Sequence, residues 1–302
     1  MTTPLIDKLT IRDLPDSTWD GKRVFVRADL NVPLQDGIIT DDSRIQASIP
    51  TIQYLSSRGA KVILASHLGR PNGTIDDSLR LTPVAQRLSE LLGHPVQSTS
   101  DVVGPAVTEA VNNLNPGNVI LLENVRFESD ETNNGTELTK SFAALADIFV
   151  QDAFGTAHRA HSSTQGIGTL IPAYAGLLVE KELHYLGAAL ESPKRPFLAI
   201  IGGSKISSKF AVLRQLIGKV DTLFVGGAMS FTLLKAQGNE VGTSMVEDSF
   251  LNEAKLFLDT IAQSSTTLIL PEDQVLVKKF AADAETRLAP STDIQSDEMG
   301  LD

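Results

Sequence analysis

The sequence predicts an α/β protein with two doubly wound, parallel-sheet domains of the Rossmann-like kind, joined by a long helix. Short apolar segments alternate with longer amphipathic ones, as strands and helices do in such sheets. The chain has 302 residues, more than one hydrophobic core usually serves. The helical stretch AYAGLLVEKELHYLGAAL is followed by the interruption SPKRP. We therefore predict one domain at residues 1–180 and a second at 181–302.

Four apolar segments predict the strands of the first domain: KRVFVRADL, AKVILASHL, NVILLENVRF and DIFVQDAF. Their lack of strict polar alternation is typical of strands that are buried on both faces. Between them, RIQASIPTIQYLSSRG, TPVAQRLSELLG and ELTKSFAALA have helical spacing of apolar residues. Gly59 and Gly93 stand where the first two of these helices should end.

The alternation resumes in the second half of the chain. PFLAIIGG, DTLFVGGAM and TTLILPED predict strands, and KFAVLRQLIGKV and FLNEAKLFLDTIAQ predict the helices between them. The same order of strand and helix in both halves favours a parallel sheet in each domain.

Composition excludes several classes of function. A net charge of -11 argues against non-specific nucleic-acid binding and against docking on anionic membranes. The absence of cysteine removes disulfides, thiolate nucleophiles and cysteine-ligated zinc. The N-terminal segment has no secretory signal pattern, and no apolar stretch is long enough to span a bilayer. We predict a cytoplasmic monomer that binds neither nucleic acid nor membranes.

Polar side chains follow each predicted strand of the first domain. In an open α/β sheet, ligands bind at the edge where the carboxyl ends of the strands meet. The segments RADLN, SHLGRP, ENVRF and DAFGTAHR should therefore direct their polar residues to one edge. These residues are Asp29, Asn31, His67, Arg70, Arg126 and Arg159.

The residue types at this edge indicate an anion site. Arginine keeps its charge and presents a planar fork of donors that suits carboxylate and phosphate. Arg70, Arg126 and Arg159, together with Arg44, would bind a small polyanion such as a phosphorylated acid. A metal site is the alternative, because His158 and His161 lie close together, but the third ligand is missing at familiar spacing and nearby arginines would repel a cation.

A second polar motif, GGSKISSK, follows the first strand of the second half. Gly202 and Gly203 allow a sharp turn or a close approach to a ligand. Lys205 and Lys209 are four residues apart, so on a helix they would share a face near its N-terminus and form a phosphate site. A pair of surface lysines without a ligand explains this motif equally well when it is taken alone.

Together, the two motifs predict phosphoryl transfer. Such a reaction needs positioning and positive charge at the moving group, for which Arg44 and Lys205 are the candidates. A non-catalytic phosphate-binding module is the main alternative. A dinucleotide oxidoreductase is a third hypothesis, but the G-x-G-x-x-G pattern that is typical of dinucleotide binding is missing.

The chain resembles phosphoglycerate kinases over essentially its whole length. The resemblance is carried, in order, by RADLNVP, SHLGRP, ENVRF, DAFGTAHRAHSS, PFLAIIGGSKISSK and LFVGGAM. It implies phosphoryl transfer between ATP and 3-phosphoglycerate with Mg²⁺, giving ADP and 1,3-bisphosphoglycerate, in glycolysis and carbon fixation. Ser208 stands where the commoner motif has aspartate, which looks like the plastid and cyanobacterial variant. Ala28 and Leu30 replace commoner residues that should face a core.

The resemblance also implies roles for individual residues. Lys205 matches the lysine that follows the transferring phosphoryl group. Lys209, with Gly202 and Gly203, matches the site for the nucleotide phosphates. The residues that match the 3-phosphoglycerate site are Asp29, Leu30, Asn31, Arg44, His67, Leu68, Gly69, Arg70, Arg126 and Arg159.

The chain ends at EMGLD, where the family pattern continues. The continuation would carry a residue that binds ribose, part of the adenine pocket, and a glycine-rich turn whose aspartate holds Mg²⁺. We therefore predict no metal ligand within the chain itself and expect an incomplete second domain. For the same reason we expect weak or no activity from this chain alone.

Overall fold

The computed structural model describes residues 8–191 and 193–301. They fall into two compact units that divide between Ala188 and Ala189.

The first unit is built around one parallel sheet. Its described elements, in chain order, are β1 (Arg23–Arg27), β2 (Leu34–Gln35), β3 (Ile38–Ile39), α1 (Ser43–Ser56), β4 (Lys61–Ala65), α2 (Thr82–Leu92), β5 (Gln97–Ser98), α3 (Pro105–Asn112), β6 (Val119–Leu121), α4 (Thr136–Leu145), β7 (Ile148–Gln151), β8 (Ala173–Ala175) and α5 (Leu177–Glu191). The strand order is β5-β6-β4-β1-β7-β8, with every pair parallel, while β2 and β3 form a separate antiparallel hairpin.

This sheet is buried on both faces. Val24 and Val26 of β1 belong to one hydrophobic core, and Phe25 between them belongs to the core on the opposite face. Phe25 lies in register with Ile63 of β4 and Phe149 of β7, so apolar side chains form continuous rows across the strands. The doubly wound parallel sheet predicted from the apolar segments is confirmed.

The second unit contains two small sheets. Its described elements are β9 (Leu198–Gly202), α6 (Phe210–Leu216), β10 (Thr222–Gly226), α7 (Met229–Ala236), α8 (Leu251–Ala262), β11 (Thr267–Ile269), β12 (Asp273–Val277), β13 (Thr286–Pro290) and β14 (Met299–Gly300). Strands β11-β10-β9 form a parallel sheet, and β13-β12-β14 form an antiparallel one.

Some predicted boundaries were wrong. The stretch read as one helix from residue 173 begins instead with β8, which pairs with β7, and α5 starts only at Leu177. Gly176 lies between β8 and α5, at a position where a side chain would collide with the carboxyl group of Asp152. The strand predicted at DTLFVGGAM ends at Gly226, and helix α7 begins at Met229.

Other elements had no prediction at all. Helix α3 is short, and the strands of the antiparallel sheet have irregular apolar patterns: Leu276, Val277 and Ala289 are buried, whereas Leu288 is exposed. None of the helices in the described part of the chain is both long enough and apolar enough to cross a membrane.

Candidate functional site

The segments that follow β1, β4 and β6 are tied together by hydrogen bonds at the carboxyl edge of the first sheet. The N–H of Gly69 donates to Asn31 Oδ1 at 2.9 Å. Arg126 Nη1 donates to the carbonyl of Gly69 at 2.7 Å. Gly69 has φ of 62°, a conformation that favours glycine, so the chain can turn sharply between Leu68 and Arg70. The edge predicted from the ends of the strands is therefore a single cross-linked surface.

Asn124 fixes the base of the same loop. Its Oδ1 accepts from the N–H of Leu68 at 3.2 Å, and its Nδ2 donates to the carbonyl of Leu68 at 2.8 Å. The side chains of Leu68 and Leu30 are buried in the core. The side chains of these two predicted site residues therefore cannot contact a ligand.

Three of the predicted arginines surround a small cavity of about 200 Å³. Arg126 is partly buried, whereas Arg70 and Arg159 are exposed. Burial lowers the pKa of Arg126, and the positive charges of Arg159 and Arg70 lower it further. Within residues 8–191 and 193–301, none of these three guanidinium groups forms an ion pair with a carboxylate. The cavity is lined by Arg70, Asn72, Gly73, Arg126, Glu128, Thr132 and Arg159.

Arg44 differs from these three because it is paired. Its Nη1 lies 3.0 Å from Oδ1 and 2.9 Å from Oδ2 of Asp29. Arg44 belongs to the first turn of α1, and Asp29 follows β1, so the ion pair connects these two elements. The carboxylate leaves the guanidinium half exposed, with 53% of the side chain accessible.

His67 is buried next to an arginine that the sequence reading did not select. His67 Nδ1 lies 3.0 Å from Nη2 of Arg27, the last residue of β1. Burial, followed by the charges of Arg27, Arg126, Arg159 and Arg44, lowers the pKa of His67 to about 2. His67 is therefore a neutral imidazole at neutral pH.

A buried carboxylate lies on the other side of Arg27. Arg27 Nε donates to Ser163 Oγ at 2.9 Å, and Ser163 Oγ donates to Glu131 Oε1 at 2.6 Å. Arg27 and Glu131 were both missed in the sequence. The sequence contains one indication of this network, which is the arginine inside the otherwise apolar run VFVRADL. An arginine in a buried strand needs hydrogen-bonding or charged partners within the protein.

The two histidines of DAFGTAHRAHSST have different surroundings. His158 is exposed, whereas His161 is partly buried with Nδ1 3.7 Å from Glu131 Oε1. Burial, then the charges of Arg126 and Arg159, lowers the pKa of His161. In the described part of the chain, no three residues of the types His, Cys, Asp and Glu are grouped so that they could hold a metal ion.

In the second unit, the two predicted lysines lie on a turn rather than on a helix. Helix α6 begins at Phe210, with Lys209 as its N-cap residue, so the expectation that Lys205 and Lys209 share a helical face was wrong. The backbone closes a turn instead: the N–H of Lys209 donates to the carbonyl of Ile206 at 2.9 Å, and Ser208 Oγ donates to that of Lys205 at 2.8 Å. Both lysines are exposed.

Glu247 holds the middle of this turn and was not predicted. Its carboxylate accepts from the N–H of Ser207 at 2.9 Å and from Ser207 Oγ at 2.7 Å. These two bonds, more than the neighbouring Lys205, lower the pKa of Glu247.

Two glycine-rich turns pack against each other beside the lysines. The N–H of Met229 donates to the carbonyl of Gly203 at 2.9 Å. Gly227 has φ of 68°, and a side chain there would come within 3.0 Å of that same carbonyl oxygen. Gly227 therefore allows the turns after β9 and β10 to approach closely, whereas side chains at the predicted Gly202 and Gly203 would meet other atoms only at 3.8 and 3.6 Å.

Comparisons with known proteins agree with one another. A family model described as phosphoglycerate kinase matches residues 14–302. The phosphoglycerate kinase of Dictyoglomus turgidum is 51% identical over 295 residues, which cover 98% of this chain and 74% of that protein. The phosphoglycerate kinase structure from Coxiella burnetii is similar with a TM-score of 0.78 and 40% identity, covering 98% of this chain and 74% of the other. That from Pyrococcus horikoshii has a TM-score of 0.75 and 28% identity, covering 93% and 71% respectively.

Proposed function

This chain belongs to the phosphoglycerate kinase family, and from that premise we propose that its arginine-lined cavity binds 3-phosphoglycerate and that its lysine turn binds nucleotide phosphates. The family's reaction is reversible phosphoryl transfer between ATP and 3-phosphoglycerate. The predicted domain at residues 1–180, which lies within the first unit, would then bind phosphoglycerate, and residues 181–302 would form the nucleotide-binding domain.

The observation that carries the proposal is the cluster of three arginines that have no ion pair among the described residues. Arg70, Arg126 and Arg159 place positive charge around a cavity of about 200 Å³. Burial, followed by the charges of Arg159 and Arg70, lowers the pKa of Arg126, and an anion in the cavity would relieve the repulsion among the three guanidinium groups. A phosphate group suits this site because it can accept forked hydrogen bonds from several guanidinium groups at once.

The remaining residues of the edge suit the other end of the substrate. Asp29 and Asn31 carry side-chain oxygens that can accept from a hydroxyl, while Arg44 and His67 can donate to a carboxylate. Together with the backbone of Leu30, Leu68 and Gly69, these groups would orient the acid so that its carboxylate remains available for transfer.

In the proposed reaction, a carboxylate oxygen of 3-phosphoglycerate attacks the γ-phosphorus of ATP and the bond to ADP breaks. Negative charge spreads over the transferring group, and we assign its stabilisation to Arg44 and Lys205. Lys209, Gly202 and Gly203 would hold the nucleotide phosphates. Mg²⁺ arrives with ATP as part of the substrate, and we assign no residue of the described chain to hold it.

We further propose that the protein acts as a cytoplasmic monomer on small molecules, without nucleic-acid or membrane partners. The support is the acidic composition, with a net charge of -11, and the absence of cysteine.

Calorimetric titration of the chain with 3-phosphoglycerate tests the proposal. We expect saturable binding that Arg159→Ala weakens by about tenfold or more, since a hydrogen bond to a charged group contributes about 1.5–3 kcal/mol. Within residues 8–191 and 193–301, the side chain of Arg159 forms no hydrogen bond or ion pair, so its removal should leave the fold intact. Arg12→Ala, which removes an exposed arginine paired with Glu180, is the matched control and should bind normally.

Absence of binding by a sample whose circular dichroism and melting are those of a folded protein would overturn the assignment. Because we expect weak turnover from this chain alone, a coupled assay for ADP formation at high protein concentration separates a slow kinase from a binding module: only the kinase consumes ATP when 3-phosphoglycerate is added.

A further inference from the structure

Arg27 lies inside the basic site without facing the cavity. Its side chain is buried, with 1% of the residue accessible. Each of its three guanidinium nitrogens donates to a protein atom: Nε to Ser163 Oγ at 2.9 Å, Nη1 to the carbonyl of Ala28 at 2.6 Å, and Nη2 to His67 Nδ1 at 3.0 Å. An arginine held in this way can position a neighbour more readily than it can bind a ligand.

The contact with His67 has only one chemically consistent form. A guanidinium nitrogen carries only donors and no acceptor, so Nδ1 of His67 must accept. A ring that accepts at Nδ1 is neutral and has its proton on Nε2. Protonation at Nδ1 would bring two donors together and add a positive charge close to Arg27, Arg44, Arg126 and Arg159.

Ser163 and Glu131 make the direction of these bonds consistent. The hydroxyl of Ser163 has one hydrogen, which lies on the 2.6 Å bond to Glu131 Oε1, so its lone pair is free to accept from Arg27 Nε. Oε2 of the same carboxylate accepts from the N–H of Ser163 at 3.0 Å. Glu131 is fully buried, and its charge offsets that of Arg27 inside the protein.

The second nitrogen of His67 remains available. Among the described residues, Nε2 of His67 has no hydrogen-bond partner. Four side-chain nitrogen and oxygen atoms of the described residues are fully buried without a partner, and Nε2 is not one of them. It therefore keeps some access to solvent at the site.

We propose that Arg27 is a positioning residue that holds His67 as a neutral imidazole with its proton on Nε2, so that this N–H is the donor offered to the substrate. The inference rests on the proposed function for the identity of the ligand, but the tautomer itself is a property of the protein alone. A donor fixed in this way does not depend on pH through the range where ordinary histidines titrate, near a pKa of about 6.5. We therefore expect that substrate affinity does not fall as the pH rises through the range in which an ordinary histidine loses its proton.

Nitrogen-15 NMR of the histidine side chains in the whole chain tests the tautomer without any ligand. The His67 signals are assigned by their loss in His67→Gln. We expect an unprotonated Nδ1 and a protonated Nε2, unchanged from well above to about one unit below the ordinary histidine pKa of about 6.5. A protonated Nδ1, or titration of the ring within this range, would overturn the proposal.

Arg27→Met tests the cause, with Arg23→Met as the matched control on the same strand. Arg23 pairs with Asp147 at 2.8 Å and does not contact His67. In folded Arg27→Met we expect both tautomers of His67, a ring that titrates, and affinity for 3-phosphoglycerate lower by about two- to tenfold at a pH where the ring is neutral. Retention of the single Nε2–H tautomer in that variant would contradict the role of Arg27.

The role of Arg27 and the identity of the ligand are tested separately. If Arg27→Met does not fold, a protonated Nδ1 or a titrating ring in the unaltered protein still overturns the proposal, and Arg27→Lys, which keeps the charge but not the guanidinium fork, replaces Arg27→Met as the test of the cause. If the unaltered protein shows the expected tautomer and the Arg27 variant loses it, but no 3-phosphoglycerate binds, the proposed function fails and the assignment of Arg27 as the residue that fixes His67 stands.

Discussion

Arg44 Nη1 donates to both carboxylate oxygens of Asp29, at 3.0 Å from Oδ1 and 2.9 Å from Oδ2. The pair places a carboxylate among the arginines of this edge and holds Arg44, which comes from the first turn of α1. Because Arg44 is half exposed, the bond to Asp29 orients it without withdrawing it from solvent. We assign it to transition-state stabilisation on that basis.

Arg44→Met should lower affinity for 3-phosphoglycerate by about tenfold and lower phosphoryl transfer more strongly, because the lost charge acts mainly on the transferring group. Calorimetry measures the first effect and the coupled ADP assay the second. Arg58→Met is the control, since Arg58 follows the same helix but pairs with Asp16 away from the site. Equal loss of affinity in both variants would mean that Arg44 acts only through long-range charge.

Gly69→Ala should deform the substrate loop. Gly69 has φ of 62°, and an added side chain would lie 2.7 Å from Cδ2 of Leu79. We expect a loss of about 1–3 kcal/mol in the free energy of unfolding from strain and overpacking, together with weaker binding of 3-phosphoglycerate.

Gly93→Ala separates the two effects in that experiment. Gly93 also has a positive φ, of 74°, but a side chain there would meet nothing within 4 Å. Urea unfolding of this control should show the backbone strain of about 1–2 kcal/mol, while titration shows normal binding. If both variants bind normally, the position of Gly69 is not important for the site.

The strands of the first unit could be predicted from the sequence because they are buried on both faces. In β1, the apolar residues Val24, Phe25 and Val26 pack on alternate faces of the sheet. Because a hydrophobic core covers each face, an uninterrupted apolar run is enough to predict the strand. The parallel order then brings the polar residues after each strand to one edge. Thus Asn31 and Arg126 both contact Gly69, as the positions of the motifs suggested.

What the sequence did not show was how charges are paired in space. Arg27 and Glu131 are distant in sequence and are connected through Ser163, so no local spacing indicates their network. Glu247 likewise binds Ser207 across 40 positions. The error at the lysines has a partly local cause: the hydroxyl of Ser208 donates to the carbonyl of Lys205, and this bond competes with the first helical turn.

Glu247→Ala should weaken binding of ADP by about fivefold or more. The carboxylate forms two hydrogen bonds with Ser207 and orders the turn that carries Lys205 and Lys209. Removing a negative charge from near Lys205 also favours anions, but an exposed charge pair contributes less than about 1 kcal/mol, and we expect the loss of order in the turn to outweigh it. Fluorescence or calorimetric titration with ADP measures the balance.

Glu253→Ala is the matched control for that prediction. It removes one exposed carboxylate from the same unit, on α8, without touching the turn. Unchanged ADP affinity in this variant, with loss in Glu247→Ala, would assign the effect to the hydrogen bonds. Tighter binding in Glu247→Ala would show that the charge dominates and that the turn is ordered by other contacts.

Asp152→Asn should change how stability depends on pH. Oδ1 of Asp152 accepts from the N–H of Leu178 at 2.9 Å, but Oδ2 is buried without a partner. Burial raises the pKa of this carboxyl to about 7, so between about pH 4 and 7 the native state binds a proton that the unfolded state has released. The stability that the Asp152 carboxyl group contributes is therefore lost as pH rises through that window, by at most about 4 kcal/mol. Asp152→Asn has no titrating group at this position, so its stability does not show this decrease.

Urea unfolding across that window measures the effect of Asp152, and extending the series below the ordinary aspartate pKa of about 3.9 lets Asp147→Asn supply a control of opposite sign. Hydrogen bonds from Arg23 lower the pKa of Asp147, so the stability it contributes is present above the ordinary aspartate pKa and is lost as pH falls. Relative to the unaltered protein, Asp152→Asn should therefore gain stability as pH rises. Asp147→Asn should instead be at its greatest disadvantage at neutral pH and should recover as the solution becomes acidic. If the curve for Asp152→Asn runs parallel to that of the unaltered protein, Asp152 is ionised throughout, and the unpartnered oxygen must reach water when the protein is in solution.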